Sequence, residues 1–136
     1  MKTPKLYVAD TGLLCALLDI GTEEELQRSP NFGAVWETFV FAQLRYRERL
    51  AGRSGRVFFW RDRTREVDFL VDTGGRIELF EAKSTELPAP ADAASLAAVR
   101  QAIGPSKVIG AALVSRAANS FPLGDELRAI GVGDLA

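Results

Sequence analysis

The fold is decided by the stretch Glu66-Val-Asp-Phe-Leu-Val-Asp-Thr-Gly-Gly-Arg-Ile-Glu-Leu-Phe-Glu-Ala-Lys83. Two runs of β-branched, aliphatic and aromatic residues flank the sequence Asp72-Thr-Gly-Gly75, and this pattern predicts a β-hairpin with a short turn. Several carboxylates and a lysine interrupt residues that otherwise have the composition of a core. The presence of charged side chains in this hairpin therefore needs an explanation.

The flanking sequence extends this hairpin into a mixed sheet. Residues 57–61, 66–72 and 76–85 are expected to form an antiparallel three-stranded meander. Residues 92–103 repeat apolar side chains at helical spacing, and an almost wholly apolar run follows at 107–115. A strand that is buried on both faces and follows a helix most often pairs parallel to its neighbour through a crossover. We therefore expect an α/β fold, with a mixed sheet flanked by helices in the order α-β-β-β-α-β.

Two further helices are predicted before the meander. Residues 32–50 have one apolar and one polar face, which is the strongest helical pattern in the chain. A shorter helix is expected to follow Asp10 as its N-cap, and residues 21–30 are expected to form a connector with a solvated acidic run. The 136 residues are expected to make one domain, with an N-terminal helical extension (5–30), a core (31–115) and a C-terminal tail (116–136).

The composition excludes several classes of function. The chain has no histidine, which excludes histidine-based triads and zinc sites, and its single cysteine, Cys15, excludes an internal disulfide framework. A net charge of -1 requires any basic patch to be local. The first residues lack the apolar core of a signal peptide, and no apolar run approaches the roughly 20 residues of a membrane span. We therefore expect a soluble, cytoplasmic protein without a membrane partner.

Strand alternation predicts which charges of the hairpin meet. Asp68 is expected to share a face with Leu70, opposite Phe69, and Glu81 and Lys83 are expected to share one face of the next strand. The turn holds the two strands side by side, so two acids and a lysine are expected to converge. The other acids of the hairpin are expected at turn or surface positions: Glu66, Asp72 and Glu78.

Glu37 is a similar anomaly on the long predicted helix, because it lies at helical spacing with Val40. A glutamate on an apolar face is costly unless it is paired or bound to a metal. Carboxylates gathered in one place repel each other, and a hard cation such as Mg²⁺ or Mn²⁺ prefers oxygen ligands. A metal held by Glu37, Asp68 and Glu81, with Lys83 nearby, would suit phosphodiester hydrolysis. Each residue taken singly also has a structural alternative as a frayed strand end, a bulge cap or an arginine partner.

A basic segment lies beside these residues in the sequence. Residues 45–65 contain eight arginines against two acids, a local excess of +6. Arginines on a helix end and a strand turn are suited to a phosphate backbone, and such contacts make binding salt dependent. We expect Arg53, Arg61, Arg63 and Arg65 to contact DNA. The alternatives are an ordinary solvated face and docking to the acidic surface of a partner domain.

The motif residues resemble those of a known superfamily. Gly33-x-x-x-Glu37, Asp68 and Glu81-Ala-Lys83, on a helix and two strands, resemble the core of the PD-(D/E)XK nucleases. Over about residues 5–115 the chain also resembles the C-terminal domain of unknown function found behind an ATPase module in many prokaryotic AAA-type proteins. That resemblance rests on four stretches: Tyr7-Val-Ala-Asp-Thr-Gly-Leu13, Gly33-Ala-Val-Trp-Glu-Thr-Phe-Val40, Phe59-Trp-Arg61 and Glu66-Val-Asp-Phe69.

The resemblance implies a restriction-endonuclease-like fold, in which Glu37, Asp68 and Glu81 are Mg²⁺ ligands and Lys83 is the catalytic lysine. It also implies an AAA-type ATPase as a partner module. The 136 residues contain no Gly-x-x-x-x-Gly-Lys-Ser/Thr loop, so the chain is expected to be a fragment or a stand-alone remnant.

Two hypotheses for function remain, beside the alternative that the chain is an incompletely expressed gene product with no separate role. The first is a Mg²⁺-dependent nuclease-like domain that binds and cleaves DNA. The second is a catalytically inactive module of the same fold, which binds DNA or a partner of an AAA-type ATPase. They differ in geometry, because the first requires Lys83 and the carboxylates to converge, whereas pairing of Glu37 or Lys83 elsewhere favours the second.

Overall fold

The computed structural model describes residues 3–53 and 56–135. The helices and strands of these residues, in chain order, are α1 (Thr11–Leu17), α2 (Glu23–Arg28), α3 (Phe32–Leu50), β1 (Arg56–Arg61), β2 (Glu66–Thr73), β3 (Arg76–Ala82), α4 (Ala94–Ile103), β4 (Val108–Val114), β5 (Phe121–Gly124) and β6 (Leu127–Ile130). Short 3-10 turns cover Pro90–Ala93 and Val132–Leu135. Within the described residues, no helix combines the length and the apolar character needed to cross a membrane.

The strands form one six-stranded mixed sheet in the order β1-β2-β3-β4-β6-β5. Strands β1, β2 and β3 pair antiparallel, and β4 pairs parallel to β3, which confirms the predicted meander and its parallel neighbour. The β2–β3 turn places Gly74 and Gly75 at φ values of 65° and 87°, where a side chain would be strained. The Asp72 carboxylate accepts a hydrogen bond of 2.8 Å from the Gly75 N–H and closes this turn.

Helices cover both faces of the sheet. Val40 and Leu44 of α3 pack with Phe69 on one face, and Leu96 and Val99 of α4 pack with other sheet residues on the opposite face. The chain is therefore an α/β sandwich with a buried core on each side of the sheet. This arrangement fits the predicted α/β class with its flanking helices.

Three predicted segments differ from the structure. The expected connector at 21–30 contains α2, because Thr22 and Glu25 form a reciprocal capping box and the acidic run is the first turn of the helix. The expected tail at 116–136 supplies β5 and β6, and β6 pairs parallel to β4. The third strand ends at Ala82, before the predicted end at residue 85.

A β-bulge in β2 changes the predicted alternation. Phe58 and Trp60 of β1 face Leu70 and Val67 of β2, so two steps along β1 correspond to three steps along β2. Strand β2 therefore carries one extra residue opposite Phe59.

The bulge turns two successive β2 side chains toward the same side of the sheet. Asp68 contacts Lys5, which in turn contacts α3, and Phe69 packs in the core beneath α3. Leu70 packs with the core beneath α4. The prediction that Asp68 shares a face with Leu70 is therefore wrong, and the extra residue is the physical reason.

We expect Leu44→Ala to lower the free energy of unfolding by about 2–5 kcal/mol, because Leu44 is fully buried and truncation leaves a cavity. Leu50→Ala is the matched control, since Leu50 ends the same helix and is 71% exposed. Its effect should stay within about 0.5 kcal/mol. Urea unfolding of both variants measures the difference, and equal losses would contradict the assigned core.

Candidate functional site

Lys5 lies at the centre of a group of acids. Its ammonium nitrogen is 2.9 Å from Glu37 Oε1, 2.8 Å from Glu66 Oε1 and 2.9 Å from Asp68 Oδ1. The acids come from α3 and from β2, so one ammonium joins the N-terminal segment to a helix and to the sheet. Together with Glu81, these acids are called the carboxylate cluster below.

Tyr7 holds the N-terminal segment against α3. Its phenol donates a hydrogen bond of 2.7 Å to Glu37 Oε1, and its ring stacks on Phe41 at a centroid distance of 4.3 Å. Leu6, between Lys5 and Tyr7, is 93% exposed. The extended segment therefore directs alternate side chains, Lys5 and Tyr7, into the cluster.

Glu81 completes the cluster from β3. The Asp68 N–H donates a hydrogen bond to the Glu81 carboxylate, and the Ala82 N–H donates one of 3.0 Å to Asp68 Oδ2. Glu81 Oε2 is buried and has no hydrogen-bond partner. Burial, reinforced by the neighbouring Asp68 charge, raises the pKa of Glu81 to about 8.

The other members of the cluster are also perturbed. Burial raises the pKa of Asp68 against the opposing hydrogen bonds from Ala82 and Lys5. Burial would lower the pKa of Lys5, but hydrogen bonds to Glu66, Asp68 and Glu37 outweigh it, and the pKa rises. Burial likewise opposes ionisation of Glu66, yet hydrogen bonds from Lys5 and Arg61 lower its pKa. Lys5 therefore stays charged.

The carboxylate cluster has more acids than cations. Lys5 contacts three of its members, and Arg61 contacts Glu66 at 2.7 Å, so two cations face four acids. Even with Glu81 protonated, one negative charge exceeds the positive charge in contact.

The cluster is arranged around an ammonium group. In the described part of the chain, no group of three or more acids has the arrangement of a metal site. The oxygens lie 2.8–2.9 Å from the Lys5 nitrogen, whereas Mg²⁺ ligands lie about 2.1 Å from the ion. The donor types and the unpartnered Glu81 oxygen nevertheless suit a hard cation.

Lys83 departs from its predicted place. It follows the last residue of β3, and its ammonium pairs with Asp92 in the 3-10 turn, away from the expected convergence with Asp68 and Glu81. The Asp92 side chain is fixed in position because its other oxygen accepts a hydrogen bond of 2.8 Å from the Ala89 N–H. A half-exposed ion pair costs Lys83 less desolvation than entry into the cluster would.

The predicted DNA-contacting arginines separate into two places. Arg61, Arg63 and Arg65 lie at the β1–β2 turn, and Arg61 joins the carboxylate cluster through Glu66. Arg53 instead pairs with the buried Glu48, roughly 16 Å further along α3 than Glu37 at 1.5 Å per residue. Glu48 is buried in spite of its charge, because Arg47 and Arg53 satisfy its oxygens. Arg53 therefore lies apart from the cluster.

Sequence reasoning missed Lys5, Tyr7 and the role of Glu66. The alternation of Lys5 and Tyr7 around an exposed leucine was the available signal, because an extended segment sends both side chains to one side. Glu66, expected at a turn or surface position, instead bridges Lys5 and Arg61. Glu37, Asp68 and Glu81 are brought together as predicted, although a lysine joins them from an unexpected segment.

Comparison with known protein families identifies the family of this chain. The model of the domain of unknown function DUF4143 matches residues 32–135, which includes Glu37, Asp68 and Glu81. The chain belongs to the DUF4143 family. Lys5 and Tyr7 lie outside the matched range of the DUF4143 model, on the segment that precedes it.

The chain is also similar to longer mycobacterial proteins. An uncharacterized protein of Mycobacterium tuberculosis, Rv2008c, and one of Mycobacterium bovis, Mb2031c, are each 35% identical to it over 130 residues. The match covers 95% of this DUF4143 chain but only 27% of each relative. No solved structure matches the chain.

We expect Glu81→Gln to change how stability depends on pH. Glu81 keeps its proton to about pH 8 in the folded protein, against 4.5 for an ordinary glutamate. Its favourable contribution is therefore full below pH 4.5 and is lost as the pH rises through 8. Relative to the wild type, the variant should gain unfolding free energy between pH 5 and pH 9, measured by urea unfolding without divalent cations.

Glu24→Gln, on the exposed α2, is the control for this experiment. Its stability should follow the wild-type pH dependence. Parallel profiles for the wild type and Glu81→Gln would show that Glu81 ionises normally, in contradiction to its burial beside Asp68.

Proposed function

We propose that this chain is a Mg²⁺- or Mn²⁺-dependent, nuclease-like domain that binds DNA and hydrolyses its phosphodiester bonds. The observation that supports this proposal is the carboxylate cluster, in which four acids from a helix and two strands face two cations. Like charges that are partly shielded from solvent are costly, and the structure retains four acids at one end of the sheet. An excess of carboxylates at one place supplies the oxygen ligands that a hard cation prefers.

Glu37, Asp68 and Glu81 are the proposed ligands. They project from α3, β2 and β3, which are packed against one another and hold the carboxylates on rigid supports. Glu66 is the least suited member because Arg61 already holds its second oxygen. When bound, the metal would polarise a phosphoryl oxygen and lower the pKa of a bound water.

The proposed ligands themselves require two changes to hold the ion. The carboxylate oxygens would move inward by about 0.8 Å to reach Mg²⁺ distances, which rotations of glutamate and aspartate side chains can supply. Glu81 would also lose its proton, since a carboxylate ligand binds in its charged form. The unpartnered Glu81 oxygen supports this step, because a cation would give it a partner.

The β1–β2 turn supports the DNA-binding part of the proposal. Asp62 Oδ1 accepts hydrogen bonds of 2.8 Å and 2.9 Å from the Thr64 and Arg65 N–H groups, and so fixes the turn. Arg63 is exposed at the turn, and Arg61 lies between the turn and the cluster. Guanidinium groups placed here would hold a phosphate backbone beside the carboxylates.

The proposal also concerns the superfamily of the domain, its partner module and its compartment. The element order and the mixed sheet are consistent with a restriction-endonuclease-like core, which we propose as the fold relationship within the PD-(D/E)XK superfamily. The chain spans about a quarter of the length of its mycobacterial relatives. We propose an AAA-type ATPase module in the cytoplasm as the partner that controls access to DNA.

Asp68→Asn tests the catalytic proposal. Cleavage of supercoiled plasmid in Mg²⁺ or Mn²⁺ should fall by at least about a hundredfold, because the metal supplies several kcal/mol of transition-state stabilisation. Asp125→Asn, at an exposed turn, should retain wild-type cleavage. Equal cleavage by wild type and Asp68→Asn, or cleavage that persists in a chelator, would overturn the proposal.

A second candidate function has its own supporting observation. Lys83 pairs with Asp92, and Lys5 occupies the centre of the carboxylate cluster, as expected for a catalytically inactive module that keeps a nuclease-like fold. Such a module binds DNA, or a partner of an AAA-type ATPase, without a metal. Salt-sensitive DNA binding that is unchanged by Mg²⁺, together with the absence of cleavage, would favour it.

The double variant Arg63→Gln/Arg65→Gln tests the DNA surface shared by both candidates. Affinity for a DNA duplex should fall for all sequences tested, because these arginines are proposed to contact phosphates. The slope of log K against log salt should become shallower by about 0.9 for each lost contact. Arg76→Gln, at the opposite end of β2–β3, is the control, and an equal loss there would contradict a DNA surface at the β1–β2 turn.

A further inference from the structure

The Lys5 ammonium lies where the proposed metal ligands point. It contacts Glu37 Oε1 and Asp68 Oδ1 at 2.9 Å each, and these belong to two of the three proposed ligands. Lys5 is carried by the irregular segment before α1, whereas its partners are carried by α3 and β2. A movable cation therefore sits among acids on rigid elements.

We propose that Lys5 is a tethered cation that competes with the divalent ion for the carboxylate cluster, so that the ammonium and the metal exclude each other. This inference rests on the proposed function and adds its regulation. The site is closed to metal while Lys5 is in place and opens when the side chain withdraws.

Mutual exclusion follows from distance and charge. A metal about 2.1 Å from the same oxygens would lie within roughly 3 Å of the ammonium nitrogen. A divalent ion and an ammonium group at that separation repel each other strongly, even at the effective dielectric constant of a partly exposed protein site. Both cannot bind together, so loading with metal requires the Lys5 side chain to leave.

Lys5 is the member best able to leave. Its side chain has four rotatable bonds and is 17% exposed, so rotation can carry the ammonium to solvent without unfolding an element. Tyr7 keeps the segment in place through its stack on Phe41 and its hydrogen bond to Glu37. The tether thus holds Lys5 near the cluster while leaving its ammonium free to exchange.

The charge balance argues against Lys5 as a permanent neutraliser. With Lys5 and Arg61 in contact, the carboxylate cluster still has more acids than cations, and Glu81 Oε2 has no partner. A divalent ion in place of the ammonium would add one positive charge and a partner for Glu81. The cluster is therefore better matched to a divalent ion than to the lysine that fills it.

Binding of Mn²⁺ alone, measured by isothermal titration calorimetry without DNA, tests this inference. Lys5→Met removes the charge and keeps most of the aliphatic chain, and it should bind Mn²⁺ at least about tenfold more tightly than the wild type. Lys107→Met is the matched control, because Lys107 is exposed and distant in the sheet from the cluster, and it should bind like the wild type. Equal or weaker binding by Lys5→Met would overturn the inference, as would a failure of both proteins to bind.

A second variant, Lys5→Gln, tests the inference if Lys5→Met does not fold. Lys5→Gln keeps a hydrogen-bond donor without the charge, and Mn²⁺ should raise its thermal unfolding midpoint more than that of the wild type. An equal rise would overturn the inference. Tighter Mn²⁺ binding by Lys5→Met without DNA cleavage by the wild type would support the inference and contradict the nuclease proposal. DNA cleavage by the wild type without tighter Mn²⁺ binding by Lys5→Met would support the nuclease proposal and overturn the inference.

Discussion

The interaction on which the rest of the site depends is the contact of one ammonium group with three carboxylates. Lys5 joins Glu37 of α3 to Glu66 and Asp68 of β2 over distances of 2.8–2.9 Å. Without a cation at this point, these partly buried acids would repel one another and take up protons more readily. Glu81 illustrates this effect. Lys5 does not contact it directly, and its pKa rises to about 8.

The β-bulge in β2 makes this contact geometrically available. Regular alternation would direct Asp68 toward α4, beside Leu70, and away from Glu37. The extra residue opposite Phe59 turns Asp68 toward α3 instead, while Phe69 still fills the core beneath that helix. Bulges are common beside functional sites because they redirect a side chain without ending the strand.

Much of the sheet follows from sequence pattern, and much of the site does not. The β2–β3 turn, the long helix α3 and the parallel strand β4 each have a strong local signal, and the structure confirms them. Strands β5 and β6 have only four residues each, so they gain their order from the pairing of β6 with β4 and of β5 with β6. The place of Lys83 depends on Asp92, and the place of Asp68 depends on a bulge. Both are tertiary effects that strand periodicity does not contain.

The central claim is that the carboxylate cluster is a cation site that Lys5 fills in the absence of metal. A crystal of the chain soaked in Mn²⁺, with data collected near the manganese absorption edge, tests it most directly. The account predicts an anomalous peak about 2.2 Å from carboxylate oxygens of Asp68 and Glu81, with the Lys5 side chain withdrawn. No peak at this position, with Lys5 still bonded to Glu37 and Asp68, would contradict it.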